Sequence, residues 1–560
     1  TDTVTVRPTA PSAATSTVVA SPTSITASAG SIVSTITVTV RDEFGNRVSG
    51  ATVGLSATGT ANTLTQPVAT TNANGVTTGS LSSTMAESKS VSASVNAGFT
   101  ITQTATVTVT AATLFQLAFI VNPTNTIAAA FISPAVQVAG QDQFGNTTTS
   151  GPRPTITVSI ANNPGGGTLS GTRTLQTPGG TGTPRVSTFT NLSINKAGVG
   201  YTLQATSIGL VSALSAPFDI APGAPASIVL TGGNNQSAQV GTAVAVAPSV
   251  LLRDANANVV PGVSVTFAVA SGGGSVTGAA QTTDAAGIAT VGSWTLGTVA
   301  GSNTMTATAA GSGITGNPVT FSATGTPGPA AQLTVTTQPS IAAQSGVSFA
   351  QQPTIQLRDV SGNAVSQGGV VVTAAIATGG GTLGGITTAT TGATGLATFP
   401  NLAITGTIGD RTLRFTAPGL TEVLSGTITI TAGAATQLTI TTPPSATAPS
   451  GVAFAQQPAI QLRDVSGNAV SQAGVVVTAA IATGGGTLGG SATATTTAGG
   501  LATFTNLAIT GTIGDRTLRF TATGLTEVLS GTITITAGAA TQLTITTPPS
   551  ATAPSGVAFA

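Results

Sequence analysis

Hydrophobic and polar residues alternate along much of this chain with a period of two. The stretch STITVTVRD puts Ile36, Val38 and Val40 on one side of an extended backbone and Thr35, Thr37 and Thr39 on the other. ITQTATVTVT from Ile101 and SGTITITAG from Ser425 repeat the arrangement. Successive side chains of a strand point to opposite faces, so this alternation predicts strands with one buried face and one hydroxyl-bearing, wet face. Clusters of Gly and Asn punctuate the runs about every 8–12 residues, the turn spacing of an all-β sandwich. No amphipathic helix of useful length is visible. Mean hydropathy is +0.39, yet no window supplies the roughly 18 unbroken apolar residues of a membrane helix.

Between two such strands lies a recurring phrase: RDEFGNRVSG from Arg41, QDQFGNTTTS from Gln141, RDANANVVPG from Arg253, and RDVSGNAVSQ from both Arg358 and Arg463. Its aspartates, Asp42, Asp142, Asp254, Asp359 and Asp464, are 100, 112, 105 and 105 positions apart. A period of about 100 residues is one small sandwich each time, not a solenoid repeat. The last two units are near-copies; GTIGDRTLRFTA begins at Gly406 and again at Gly511. Short Ala/Gly/Pro joints set the expected boundaries at residues 13–111, 112–222, 223–328, 329–433 and 434–538. Residues 1–12 read as the end of a preceding repeat or a linker. Residues 539–560 are identical to 434–455 and read as the first strands of a truncated sixth repeat, so the chain is expected to be a piece of a longer array.

The aspartate could be a turn post or a calcium ligand. At the start of a turn, Asp accepts hydrogen bonds from backbone N–H groups just downstream, Gly supplies the positive φ, and Asn tolerates the same region. Calcium wants about 6–8 oxygens, usually from several carboxylates, whereas the phrase brings one Asp, joined by Glu43 only in the first repeat. The turn reading therefore assigns structural roles to Asp42 and Asn46, Asp142 and Asn146, Asp254 and Asn258, Asp359 and Asn363, and Asp464 and Asn468. No metal, cofactor or catalytic residue is assigned.

Composition narrows the chemistry further. The 560 residues contain no Cys and no His, so disulfides, thiolate metal sites and His-based triads are excluded. Only 5% of residues are charged and the net charge is +1, which leaves no electrostatic footprint for nucleic acid. One Trp, one Tyr and 17 Phe give little aromatic walling for a carboxylate hydrolase or a sugar platform. Phe415 and Phe520 fall at core-facing strand positions, and Asp410–Arg411 and Asp515–Arg516 read as turn or surface pairs. The phrases GGGTLSG, GGGSVTG and GGGTLGG lack the following helix and Lys-Ser/Thr of a phosphate loop and read as bends or bulges. Sequons at Asn146, Asn191 and Asn235 are chance-level matches in so Thr-rich a chain.

From about Ala13 to Thr110 the first repeat resembles the bacterial Ig-like domains of invasin- and intimin-type adhesins. The resemblance is carried by STVVASPTSITASAGSIVSTITVTVRDEFGNRVSGATVGLSATG and TTNANGVTTGSLSST. Later repeats share the D-x-x-G-N turn and, in the third, TTDAAG, and look like divergent relatives. The resemblance implies tandem Ig-like sandwiches, an extracellular bacterial location, and a structural or adhesive role. That family's lectin-like tip and outer-membrane barrel have no counterpart in these residues.

The expected architecture is therefore all-β: five Ig-like antiparallel sandwiches in an elongated rod, each about 40 Å long, about 200 Å together. The leading expectation is a non-enzymatic extracellular stalk that holds another region away from a bacterial surface. Two other readings stay open. Uncharged, Thr-rich faces invite lateral packing into a filament, sheath or surface lattice, with 539–560 completing a neighbour's sandwich as one variant. Alternatively an end loop binds a ligand, the best placed being Gly171–Pro184 with Arg173 and Arg185 nearby. The expected partners are neighbouring copies of the chain, or a glycan or protein receptor met elsewhere in the full-length protein, with no nucleic acid and no membrane insertion.

Overall fold

The computed structural model describes residues 3–548, 552 and 555–556. The alternating stretches are strands with alternating burial: Ser34–Thr39 buries Ser34, Ile36 and Val38 and turns its Thr residues outward, and Ile428–Thr431 buries its two Ile residues and exposes its two Thr. There is no helix among the described residues.

Each buried face closes onto a partner sheet within about 100 residues, so the chain builds five separate cores. Buried side chains running from Val18 to Val109 form the first. The others run from Leu117 to Ile220, Ile228 to Ala323, Leu333 to Ile430, and Leu438 to Ile535. Aromatic pairs sit inside four of them, such as Phe399 with Phe415 at 5.3 Å between ring centroids. Phe415 and Phe520 are fully buried.

The fourth unit shows the plan. Gln332–Thr337, Thr354–Arg358 and Leu396–Thr398 make one sheet. Opposite it, Ala342–Gln344, Ile428–Thr431, Gly409–Thr416, Val371–Thr378 and Thr388–Thr390 lie in that spatial order, with Val423–Leu424 on the side of Gly409–Thr416. The chain thus crosses from one sheet to the other after its first strand and pairs in parallel with its own last strand. All five units share this parallel pairing of first and last segments. In the first unit the sheet of Thr17–Ser21 has four strands instead of three, with Asn62–Thr65 added at its edge.

The array is extended. Its accessible surface is 26922 Å², against about 18,000 Å² for a compact monomer of the same mass. Five small separate cores, each with its own surface, and the exposed residues 3–10 and 539–548 account for the excess.

Three sequence expectations need correction or completion. Asp410 and Arg411 are not a turn pair: they lie in the strand Gly409–Thr416. Arg411 is buried, with its guanidinium donating to the carbonyls of Gly380, Asp410 and Thr407; Arg516 repeats this in the fifth unit. In the segment 539–560, the described residues 539–548 carry no strand, although the identical Gln437–Thr442 is one. Gln437–Thr442 is held antiparallel against Ala459–Arg463, and residues 539–548 have no such strand beside them. Part of 539–560 lies outside the described residues. Residues 3–12 likewise form no strand beyond a single bridge from Pro11 to Asp42.

The interdomain joint as candidate functional site

The recurring Asp–Asn phrase sits where the polypeptide enters each unit. In the first unit the Asp42 Oδ1 accepts the backbone N–H groups of Phe44 and Asn46 at 3.0 and 2.8 Å, and the Asp42 N–H donates to the Asn46 carbonyl. Gly45 takes φ 86° between them. The pattern recurs at Asp142, Asp254 and Asp464 with the N–H groups two and four residues on, and at Asp359 with Asn363. In the third unit Ala257 occupies the glycine position at φ 61°, which is uncommon for an L-residue.

The second carboxylate oxygen ties the turn to the incoming linker. Asp42 Oδ2 accepts the N–H of Thr9, and Asp142, Asp254, Asp359 and Asp464 accept those of Ala112, Gly223, Gly328 and Gly433, all at 2.8–3.0 Å. The same oxygen receives the Asn side-chain amide, at 3.0 Å from Asn46 and 2.8 Å in the other four units. All five aspartates are buried. Burial opposes ionisation of Asp42, but the hydrogen bonds from Asn46 and Thr9 outweigh it and hold the carboxyl at about 2. The same balance keeps Asp254, Asp359 and Asp464 below the ordinary carboxylate range. At the last joint the linker is tight enough that a Cβ on Gly433 would stand 2.5 Å from the Ser345 carbonyl oxygen.

The asparagine does something the turn alone does not require: it reaches into the preceding unit. Asn146 Oδ1 accepts the Ala86 N–H at 2.8 Å and its Nδ2 donates to the Thr84 carbonyl at 2.7 Å. Asn258 does this with Ala197 and Asn195, Asn363 with Ala300 and Thr298, and Asn468 with Ile408 and Gly406. Each asparagine thus reads an N–H and a carbonyl two residues apart on one loop of its neighbour. Residues between Asp and Asn add contacts specific to each joint. Phe144 packs on the first core, Lys196 Nζ donates to the Asn256 carbonyl at 2.6 Å, and the Ser466 and Ser345 hydroxyls are 3.1 Å apart. In the first unit Asn46 and Phe44 are exposed.

Sequence reasoning located all ten of these residues but saw only a local turn. The available signal was persistence: in the third unit the glycine has become Ala257, yet the asparagine four residues after Asp254 remains. A turn needs its positive φ more than it needs that particular amide. Asn146, which also heads a sequon, has its side-chain nitrogen engaged in the first joint.

Residues 8–110 match the family model described as bacterial Ig-like domain (group 1). The first repeat is a bacterial Ig-like domain. With the crossover and the Asp–Asn turn found in every unit, the chain is a tandem array of Ig-like domains. Among solved structures it is similar to the Escherichia coli adhesin FdeC, at 19% identity over 57% of this chain and 100% of that one, TM-score 0.35. Yersinia pseudotuberculosis InvD matches at 20% identity over 56% and 83% of the two chains, TM-score 0.26. Invasin, described as a bacterial integrin-binding protein, matches at 14% identity over 75% and 80%, TM-score 0.30. No curated protein sequence matches the array.

The basic loop of the second Ig-like domain is bound to itself. Arg185 is buried and donates to the carbonyls of Pro178, Gly180, Thr183 and Gly151, while Arg153 donates to Thr177. These guanidiniums hold the loop's shape. Among the described residues no group of three or more acidic side chains could hold a metal ion, and no helix is long and apolar enough to cross a membrane.

Proposed function

We propose that this array of Ig-like domains is a non-enzymatic stalk at a bacterial cell surface, holding another region of its protein at a distance. The observation that carries the reading is the repeated joint: at four successive boundaries the same Asn side chain bridges two residues of the preceding domain. Domain ends that merely follow one another on a flexible tether have no use for that bridge. A stalk does, because its purpose is to keep its ends apart. On this reading the units span 13–111, 112–222, 223–328, 329–433 and 434–538, and the Asp–Asn turns are structural. A receptor, if there is one, is met by another part of the protein, as an adhesin-like architecture allows.

Sedimentation velocity over a hundredfold concentration range tests this. The expected result is one slowly sedimenting, highly asymmetric monomer throughout. Ordered polymers growing with concentration would replace the stalk with the building block of a filament or surface lattice.

A further inference from the structure

The geometry points to a second property of the array: each domain carries a shear clamp against stretching, and the clamps are graded so that the second domain yields first and the third last. The inference rests on the stalk reading only for where tension comes from; the grading itself is a property of the fold.

In every domain the segment after the sheet crossover runs parallel to the last strand. Parallel neighbours run the same way, so the chain arrives at one end of the pair and leaves from the other. Tension on the two ends slides one strand along its partner and loads all the intervening hydrogen bonds together. An antiparallel hairpin pulled at its open end would instead give way one bond at a time. Forced unfolding is governed by the rate of crossing that barrier, not by equilibrium stability. The length of the parallel pairing therefore sets resistance.

That length differs among domains. The first pairs three positions, Ser24–Thr26 with Thr108–Thr110, extended by the bonds from Ala27 N–H to Thr110 and from Thr108 N–H to Thr23. The fourth and fifth also pair three, Ala342–Gln344 with Thr429–Thr431 and Thr447–Pro449 with Thr534–Thr536. In the fifth, Pro449 stands where the fourth has Gln344, and the flanking bonds survive: Ser450 N–H still donates to Thr536, as Ser345 N–H does to Thr431. The third pairs four positions, Gln236–Gln239 with Ala323–Thr326, flanked by Asn235 N–H to Ser322 and Val240 N–H to Thr326. The second pairs only two, Thr126 with Ile220 and Ile127 with Ala221, flanked on one side by the bond from Ala128 N–H to Ala221. Beyond it Ala129, at φ 65°, turns the chain away. On the other side the Asn125 side chain takes the Asp219 N–H, as the Asn234 side chain takes the Ser322 N–H in the third domain, but without the added backbone bond that Asn235 N–H makes to Ser322 there.

The test stretches the full 560-residue chain between handles at its ends in an optical trap or force microscope. Because the chain has no Cys, paired cysteines can label a single domain without side reactions. Ile127→Cys with Ala221→Cys, and Ser237→Cys with Thr324→Cys, are register pairs across the two clamps with exposed side chains. An oxidised pair shortens that domain's unfolding step by about 300 Å of extended chain, and reductant restores it. Five steps are expected. Oxidation in the second domain should remove length from the lowest-force step, and oxidation in the third from the highest. At constant force the second should unfold at least about tenfold faster than the third, given two fewer paired positions. The proposal is overturned if the lock in the second domain removes a high-force step, if the lock in the third removes a low-force one, or if all five steps share one force distribution. Recovery of the unmodified trace on reduction shows that the variants fold. A polymer in the sedimentation experiment would overturn the stalk and leave this grading intact, whereas uniform forces would remove the grading and leave the stalk.

Discussion

At the scale of single residues, the two oxygens of one buried carboxylate divide the work of the joint. Oδ1 shapes the turn and Oδ2 holds the linker, so protonating one oxygen turns it from acceptor to donor and weakens the other as an acceptor. The sign of the pH effect follows from the depressed folded pKa: the stabilisation is present above the unfolded value near 3.8 and is lost as pH falls toward about 2, the value at Asp42. With no His and no Cys in the chain, no side chain of ordinary pKa titrates between pH 5 and 8. The melting temperature should therefore be flat across that range and fall below pH 4; a slope near pH 6 in a calorimetric series would contradict this account. A second residue-level expectation concerns Ala257. It holds a left-handed conformation at φ 61° that glycine adopts at the same turn in the other four domains, so Ala257→Gly should stabilise the third domain by about 0.5–1 kcal/mol. The reverse change, Gly362→Ala, meets no atom within 4 Å at φ 86°. It should cost a similar amount for conformational reasons alone, and denaturant melts of the two variants measure both.

At the scale of elements, the turn and the joint can be separated because Asn46 makes the turn contact to Asp42 but is exposed, while Asn363 makes both. Asn363→Ala should cost the local fold about 1–2 kcal/mol and also loosen the third domain from the fourth. Spin labels on cysteines placed either side of that boundary should give a broadened distance distribution, whereas Asn46→Ala, at a turn that bridges no preceding domain, should lower stability by the turn's share alone. Equal effects from the two variants would reduce the asparagine to a turn residue. The elements were legible in the sequence where the reason for them is local. STITVTV specifies its strand through alternation, and D-x-x-G-N its turn through one carboxylate and one positive φ. What could not be read is what depends on registration between distant segments. Asn468 meets Gly406 and Ile408 about sixty residues back, and no periodicity marks that pairing. The parallel contact of first and last strands is equally invisible, since Ala342–Gln344 has neither length nor alternation to mark it as a strand. Arg411 was misread for the opposite reason. A charged dipeptide ordinarily faces water, but here the guanidinium finds three backbone carbonyls inside the fold.

At the scale of the whole molecule, the scarcity of charge and the extended form belong together. Several of the few cations are internal: Lys89 is fully buried against the Glu87 carboxylate and the Thr60 carbonyl, and Arg185, Arg411 and Arg516 are buried among carbonyls. Little charge is left for the outside, and outward-facing Thr rows wet the surface instead. Length then comes from repetition, and the chain offers a clean way to measure it. Residues 434–455 and 539–560 are identical, so deleting 434–538 joins Gly433 to Ala539 and preserves the native sequence on both sides of the cut. The shortened chain loses one domain and one joint and keeps the other three joints unaltered. If the joints hold the domains end to end, small-angle scattering should give a maximum dimension about 40 Å shorter, one strand-length plus its loops, from a starting value near 200 Å. A jointed, flexible chain would behave differently: its mean extension grows as the square root of the number of units, so losing one of five would shorten it by only about a tenth. Five freely jointed units of about 40 Å have a mean extension of only about 90 Å, so that regime predicts a loss of about 10 Å, roughly a quarter of the rigid value, and a decrease that small would show that the asparagine bridges do not carry rigidity from one domain to the next.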